Sequence, residues 1–503
     1  MNLYDSLLKY GSMDYYPMHM PGHKRNKALF DMVNPYSIDI TEIDGFDNLH
    51  HAEGILLEGM ERAAELYGSE HTAYLVGGST SGILTGISAC TQKGDKILTA
   101  RNSHKSVYHA IYLNELEPVY IYPGLEPQFG INGGISPEAV EEMLIKYPDI
   151  KLLVITSPTY EGIISDVKAI AETAHRYGVP LMVDEAHGAH LGFHPGFPAG
   201  SVRLGADVVI HSIHKTLPAF TQSALIHVNG TLVDYEEVKR YLDIYQSSSP
   251  SYILMAGIAR CVTLLEQKRE ELFSAFDIQL RLFYDRMKQL KYLKVLTGEA
   301  VRASGFFAFD PSKITVSVRG TDLSGMDLCN RLLNRYRIQM EMASKDYVLG
   351  MTSIGDTKEG FLRLGDALLE IDGQYKSDGC LTGLSDNKPA ENKEPADSSF
   401  GNIQPPEVVM SQKDACKSPF DVILLSESAG RITAEYVYLY PPGIPLLVPG
   451  ERITKGLLSR ISEYREKGLS FQGLRDMEGK YIKVVAKEGS IRFGDCGRIR
   501  ERK

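Results

Sequence analysis

The six cysteines, Cys90, Cys261, Cys329, Cys380, Cys416 and Cys496, stand far apart. No C-x-x-C pair exists, so the familiar zinc and redox motifs are excluded. No apolar run reaches membrane-spanning length. The N-terminus, Met-Asn-Leu-Tyr-Asp-Ser, lacks a basic region followed by an apolar one, so no secretory leader is expected. No G-x-G-x-x-G follows the early strands and no G-K-[ST] is present, which removes the usual dinucleotide and P-loop readings. Internal repeats are lacking. A basic excess is lacking too: Lys+Arg is 54 against 64 for Asp+Glu, a net charge of -10. That argues against a nucleic-acid partner and suits cationic small substrates. A reduced, soluble, cytoplasmic protein without membrane association is expected.

What is present is an ordinary globular mix, 43% hydrophobic and 23% charged, in 503 residues. That length suggests two to four domains. Residues 1–55 are polar, aromatic and weakly periodic. They read as an arm that packs either on a neighbouring subunit or on the chain's own core. The region 56–285 alternates strand and helix signals. Tyr74–Val76, Lys96–Thr99, Pro118–Tyr122, Leu152–Thr156, Leu181–Val183 and Val208–Ile210 read as short buried strands. Ser79–Cys90, Ser103–Leu113, Pro137–Tyr147 and Asp166–Tyr177 read as the helices between them. Such alternation predicts an α/β fold with a mostly parallel central sheet. Residues 286–376 read as a smaller α+β domain, with the segment Gly360–Glu370 as strand or helix. Residues 377–406 are polar and proline-rich, the composition of a flexible linker. Residues 407–503 form a third segment. Its Tyr440–Glu451 stretch carries enough proline to predict a rigid, exposed path.

Open α/β sheets bind ligands at the carboxyl ends of their strands. Three signals fall there: Gly77-Gly-Ser-Thr-Ser-Gly82, Asp184, and Ser212-Ile-His-Lys215. Pyridoxal phosphate needs a lysine amine, an acid for its ring nitrogen, a phosphate cup and a group over the ring. Lys215 can supply the amine and Asp184 the acid. The turn at Ser79, Thr80 and Ser81 opens a helix, where backbone N–H groups and hydroxyls suit a dianion. Ser212 adds another hydroxyl, and His104 lies just beyond a strand. Each feature alone has a plainer reading. The glycine turn can be a simple N-cap, Asp184 a cap or a metal ligand, His104, His187 and His214 structural groups, and Lys215 a surface lysine. No metal site is expected.

The ordered set Gly-Ser-Thr-Ser, His104-Lys-Ser, Asp184-Glu-Ala-His and Ser212-Ile-His-Lys215 resembles the bacterial Orn/Lys/Arg decarboxylase family of fold type I pyridoxal phosphate enzymes. Met20-Pro-Gly-His-Lys24 and Tyr440-Pro-Pro-Gly-Ile-Pro are similar to that family as well. The short N-terminus resembles the form without a receiver-like domain, and 407–503 resembles a C-terminal decarboxylase domain. The resemblance implies that Lys215 carries the cofactor, with His214 beside it. It implies Asp184 on the pyridine nitrogen, Ser79, Thr80, Ser81 and Ser212 on the phosphate, His104 stacked on the ring and His187 alongside. It also implies a homodimer or multiple of dimers, with sites at the subunit interface.

The reaction so implied is decarboxylation of arginine, lysine or ornithine to an amine and CO2, in a polyamine or acid-stress setting. His214 and Lys215 are the candidate proton donors. The cationic substrate tail needs a carboxylate, for which Glu451, Asp44 and Asp47 are candidates. An aminotransferase is the alternative, with Arg363 holding the substrate's α-carboxylate. A non-catalytic relative acting in binding or assembly is the second.

Overall fold

The computed structural model describes residues 2–29, 34–375, 405–439, 443–466, 471–476 and 478–487. The predicted linker lies outside them apart from its last two residues, as do Tyr440, Pro441 and Pro442.

Seven strands form the central sheet: β1 (His71–Leu75), β2 (Lys96–Ala100), β3 (Glu117–Ile121), β4 (Ile150–Thr156), β5 (Leu181–Asp184), β6 (Val208–His211) and β7 (Ala224–Val228). Their order is β1-β7-β6-β5-β4-β2-β3. From β6 through β3 every pairing is parallel. Strand β7 runs antiparallel to both neighbours. Two reversals return β1 to the common direction, so its carboxyl end shares an edge with those of β2, β4, β5 and β6. The inner strands β5 and β6 are buried at every position, as a sheet covered on both faces requires.

Sequence reading anticipated the six strands of one direction and missed β7. That strand follows Lys215 without an intervening helix, so the βαβ rhythm that revealed the others is absent.

The helix Gly78–Cys90 lies close on this sheet. A Cβ on Gly82 would come within 2.6 Å of Leu75 Cδ1 and 3.1 Å of Ile210 Cδ1. The close approach sets the helix N-terminus at the sheet's carboxyl edge. A 36-residue helix, Tyr252–Met287, leads away from this layer. Beyond it a four-stranded antiparallel sheet (Lys294–Val295, Lys313–Ser317, Tyr347–Met351, Met342–Ala343) carries the helices Gly325–Tyr336 and Lys358–Asp372. The segment left as strand or helix is therefore helical. Its apolar residues Phe361, Leu364, Leu368 and Ile371 recur at helical spacing and are buried.

The N-terminal arm is threaded into the chain's own core. Tyr16–Met18 pairs in parallel with Ile338–Met340. The following turn passes under the Lys215 loop: Gly22 N donates to His214 O at 2.8 Å. A Cβ on Gly22 would stand 2.6 Å from Leu217 N, so only glycine fits there.

In the C-terminal segment the expected exposed path is corrected. Ile444–Leu447 pairs with Val437–Leu439 at the edge of a three-stranded sheet. Leu446, Leu447 and Val448 are buried. Proline is tolerated because an edge strand leaves one row of N–H groups unpaired.

Candidate active site

The carboxyl edge of the central sheet gathers the residues singled out in the sequence. Strand β6 ends at His211, and Ser212 opens the short helix Ile213–Thr216 that carries His214 and Lys215. Lys215 Nζ lies 3.0 Å from His187 Nε2. Burial lowers the Lys215 amine from its ordinary value, against the pull of Asp184 and Glu341. Asp184 ends strand β5 and is buried, with Oδ1 accepting from Ala186 N at 3.2 Å. Burial raises its carboxyl, while Lys215 and the Ala186 N–H oppose that rise.

One histidine contacts the amine, and the Lys215 charge bears on two more. His187 is buried and its Nδ1 has no partner. Burial, then the Lys215 and Lys313 charges, hold it far below the ordinary imidazole range. His104 caps the helix Lys105–Asn114 by accepting from Ser106 N at 3.3 Å. Burial and Lys215 push it down to about 3. His214 Nδ1 lies 2.9 Å from Ser223 O. A carbonyl only accepts, so Nδ1 carries the proton and Nε2 is bare in the neutral ring. Burial lowers His214 to about 4, although the Ser223 carbonyl opposes this.

At the phosphate-cup end, the hydroxyls of Ser79 and Ser212 are in contact, joining the glycine turn to the lysine loop. Ser81 is buried and donates to Gly78 O at 2.8 Å, while Thr80 is exposed. These features fit pyridoxal phosphate. Two hydroxyls meet at a helix N-terminus, a buried carboxylate closes β5, and a buried imidazole holds its Nε2 against the half-buried Lys215 amine. Among the described residues no group of three or more His, Cys, Asp or Glu side chains is arranged to hold a metal.

The four candidates for substrate contacts are not brought to this cluster in the chain's own fold. Arg363 pairs with Asp14 and Glu359. Asp47 accepts from four backbone N–H groups around Gly54; burial pushes it up, but these donors draw it to about 2. Asp44 is exposed. Glu451 is buried against Arg101 at 3.2 Å.

Arg101 itself is fully buried and donates to Pro445 O and Leu446 O at 2.6 and 3.3 Å. Burial opposes its charge, but Glu451 together with Tyr108, Tyr120 and Tyr122 outweighs this and raises it. Lys105 N donates to Gly443 O at 3.2 Å. The C-terminal segment thus grips both flanks of His104.

Two residues here escaped the sequence reading. Tyr160 stands edge-on to His187, with ring centroids 4.7 Å apart. Its hydroxyl donates to Glu341 at 2.6 Å, and Glu341 also accepts from Met20 N at 3.0 Å. Tyr160 was recoverable in principle, since it follows β4 at the same edge. Glu341 had no signal, because it arrives from the second sheet.

The model for the Orn/Lys/Arg decarboxylase major domain matches residues 1–327. The model for the C-terminal domain of the same enzymes matches residues 398–495. The chain belongs to the Orn/Lys/Arg decarboxylase family. It is accordingly a pyridoxal phosphate enzyme of fold type I. It is 34% identical to an arginine decarboxylase of Bacillus subtilis, over 97% of this chain and 98% of that protein. It is 24% identical to a lysine decarboxylase of Pseudomonas aeruginosa, over 93% of this chain and 76% of that protein. In fold it is similar to the crystal structure of a lysine decarboxylase of Francisella novicida, with a TM-score of 0.74, 21% identity, and coverage of 96% of this chain and 80% of that one.

Proposed function

We propose that this chain decarboxylates a basic L-amino acid to its amine and CO2, with arginine the first choice and lysine the second. The observation that carries this is the half-buried Lys215 amine, 3.0 Å from His187 Nε2 at the edge that also bears Asp184, Ser79 and Ser212. A relative that is similar over nearly its whole length is an arginine decarboxylase, which supports the order of preference.

Pyridoxal phosphate, when bound, supplies an electron sink for the bond pair left behind by CO2. Lys215 would hold it covalently through its amine nitrogen. Asp184 would hold a proton on the ring nitrogen and so keep the sink effective. Ser79, Thr80, Ser81 and Ser212 would hold the phosphate, and His104 would lie over the ring. His187 would orient the Lys215 amine. The proton returned to Cα comes better from Lys215 than from His214. His214 donates its one proton to Ser223, and a ring lowered to about 4 gains no second proton at neutral pH.

The setting proposed is cytoplasmic polyamine or acid-stress metabolism. Among the described residues no helix is long and apolar enough to cross a membrane. A homodimer, or a multiple of it, is part of the same reading. The helix Leu3–Ser12 buries nothing and leaves Leu3, Tyr4, Leu7 and Leu8 exposed, which supports a neighbouring subunit as its partner. A partner would also bring carboxylates for the substrate's cationic tail. Divisions at 55, 285, 376 and 406 belong to the same reading; the two sheets built from 71–228 and 294–351 support the one at 285.

The test is a panel of arginine, lysine and ornithine with purified holoenzyme. Stoichiometric CO2 and amine without a keto-acid acceptor are expected. Turnover that depends on a keto acid would make the chain an aminotransferase and sink the proposal. The arginine available for that alternative, Arg363, is already paired with two carboxylates.

A further inference from the structure

Lys313 has no part in the reading above. It opens the strand Lys313–Ser317 and is completely buried. Its Nζ has no hydrogen-bond partner. Lys24, the other lysine buried among the described residues, shows what such an amine ordinarily requires. Lys24 Nζ donates to the carbonyls of Pro17, His19 and Met351 at 3.2, 2.8 and 2.6 Å, with Asp356 at 3.8 Å. An enclosed ammonium without such partners is among the least favourable placements for a side chain.

Its position connects it to the cofactor lysine. The Lys313 stem lies against Gly162, where a Cβ would come within 2.8 Å of Lys313 Cγ. Gly162 belongs to the loop leaving β4. Two residues earlier in that loop Tyr160 meets the His187 ring, and His187 meets Lys215. The charge of Lys313 bears on His187, and that of Lys215 bears on Lys313. The nearby acid does not complete Lys313. Asp310 Oδ1 takes His190 Nε2 at 3.1 Å and Ser312 N at 3.0 Å; its Oδ2 is buried without a partner, so the acid lends Lys313 its charge but no hydrogen bond.

Lys313 Nζ therefore lacks a hydrogen-bond acceptor among the described residues, a place that an anion from outside the chain can fill. An amino acid whose amine replaces Lys215 brings a carboxylate on the adjacent carbon. Arg101 and Arg363 are both engaged by carboxylates already. We propose that Lys313 receives the α-carboxylate of the amino-acid substrate. The proposal rests on the reading of Lys215 as the cofactor-bearing amine.

The choice of lysine has a chemical consequence. An arginine fork fixes the plane of a carboxylate by two parallel hydrogen bonds, whereas an ammonium is a point charge. A carboxylate on Lys313 stays free to turn out of the plane of the cofactor ring, as departure of CO2 requires. Negative charge leaves the carboxylate as the bond breaks. Lys313 therefore holds the ground state more than the transition state, and its loss is felt in KM more than in kcat.

The test uses holoenzyme carrying Lys313→Met, with Lys313→Gln as the second variant should the first not fold. KM and kcat are measured for arginine and lysine. Binding of the amines agmatine and cadaverine, which lack the carboxylate, is read from the visible spectrum of the cofactor. KM for the amino acid is expected to rise about tenfold or more with kcat little changed. Amine binding and the spectrum without ligand should stay as in the wild type. The thermal midpoint should hold or rise, because an uncompensated charge is removed. Equal weakening of amine and amino acid, or an unchanged KM, overturns the proposal. A changed spectrum or cofactor content before any ligand is added also overturns it, and assigns Lys313 to an oxygen of the cofactor. Wild-type enzyme that releases no CO2 from any basic amino acid sinks the functional reading itself, which the variants alone cannot do.

Discussion

His187 Nε2 stands 3.0 Å from Lys215 Nζ, while the opposite ring nitrogen, Nδ1, is buried without a partner. The ring is kept neutral by burial and by the lysine charges around it. A neutral imidazole can accept from the ammonium or donate to the free amine, so it serves Lys215 in both protonation states. Tyr160 and Glu341 fix the ring from behind, through the edge contact and the 2.6 Å hydrogen bond.

Lys215→Ala should abolish turnover and the visible absorption band of the bound cofactor. The fold should persist, because the helix carrying Lys215 is a single turn on a large buried sheet. Absorption spectra and a thermal melt check both halves. A variant that keeps the band and the activity would remove Lys215 from its assigned role.

Asp184→Ala should lower kcat by about 10²- to 10³-fold, the scale of losing one preorganised electrostatic group. Stability should change little, since burial already disfavours this carboxylate. Near-normal kcat would show that the ring nitrogen is served by another group.

Tyr160→Phe keeps the ring against His187 and removes the hydroxyl from Glu341. We expect a loss of about 1–2 kcal/mol in transition-state stabilisation, or roughly tenfold in kcat/KM. Glu341→Gln, which can still accept that hydrogen bond, should lose less. Equal losses in the two variants would place the effect in the Glu341 charge rather than in positioning.

Glu451→Leu leaves the Arg101 guanidinium buried without its carboxylate. Breaking a buried pair on one side costs about 3–5 kcal/mol, read as a shift in the urea midpoint. Because Arg101 and Lys105 bind the C-terminal segment on either side of His104, cofactor affinity should fall as well. Stability lost with cofactor affinity intact would confine the pair to a structural role.

Stability should fall on mild acidification. His104 and His214 are held at about 3 and about 4, below the ordinary 6.5 of an unfolded histidine. Above 6.5 neither state is protonated and their contribution is complete. As pH drops below it, the unfolded chain takes up protons that the folded chain refuses, until the folded values are reached. Melting temperatures of wild type and His104→Asn between pH 7 and pH 4 should converge as pH falls. Parallel curves would show that His104 does not contribute to the acid sensitivity.

The sequence alone determined the alternation of strands and helices, and with it the sheet and the edge where Ser79, His104, Asp184, His187 and Lys215 meet. Those signals are local: buried strands are short apolar runs, and their exits carry polar residues in chain order. Tertiary structure decided the rest. It reversed β7, which no crossover helix announces. It withdrew Glu451 into a pair with Arg101 and turned Arg363 toward Asp14 and Glu359. It also joined Tyr160 and Glu341 to the site, and set the Lys313 stem against Gly162 of the loop after β4. Periodicity reports which face of an element is buried. It does not report which charge from a distant strand will lie against it, because that depends on how two separately formed layers pack.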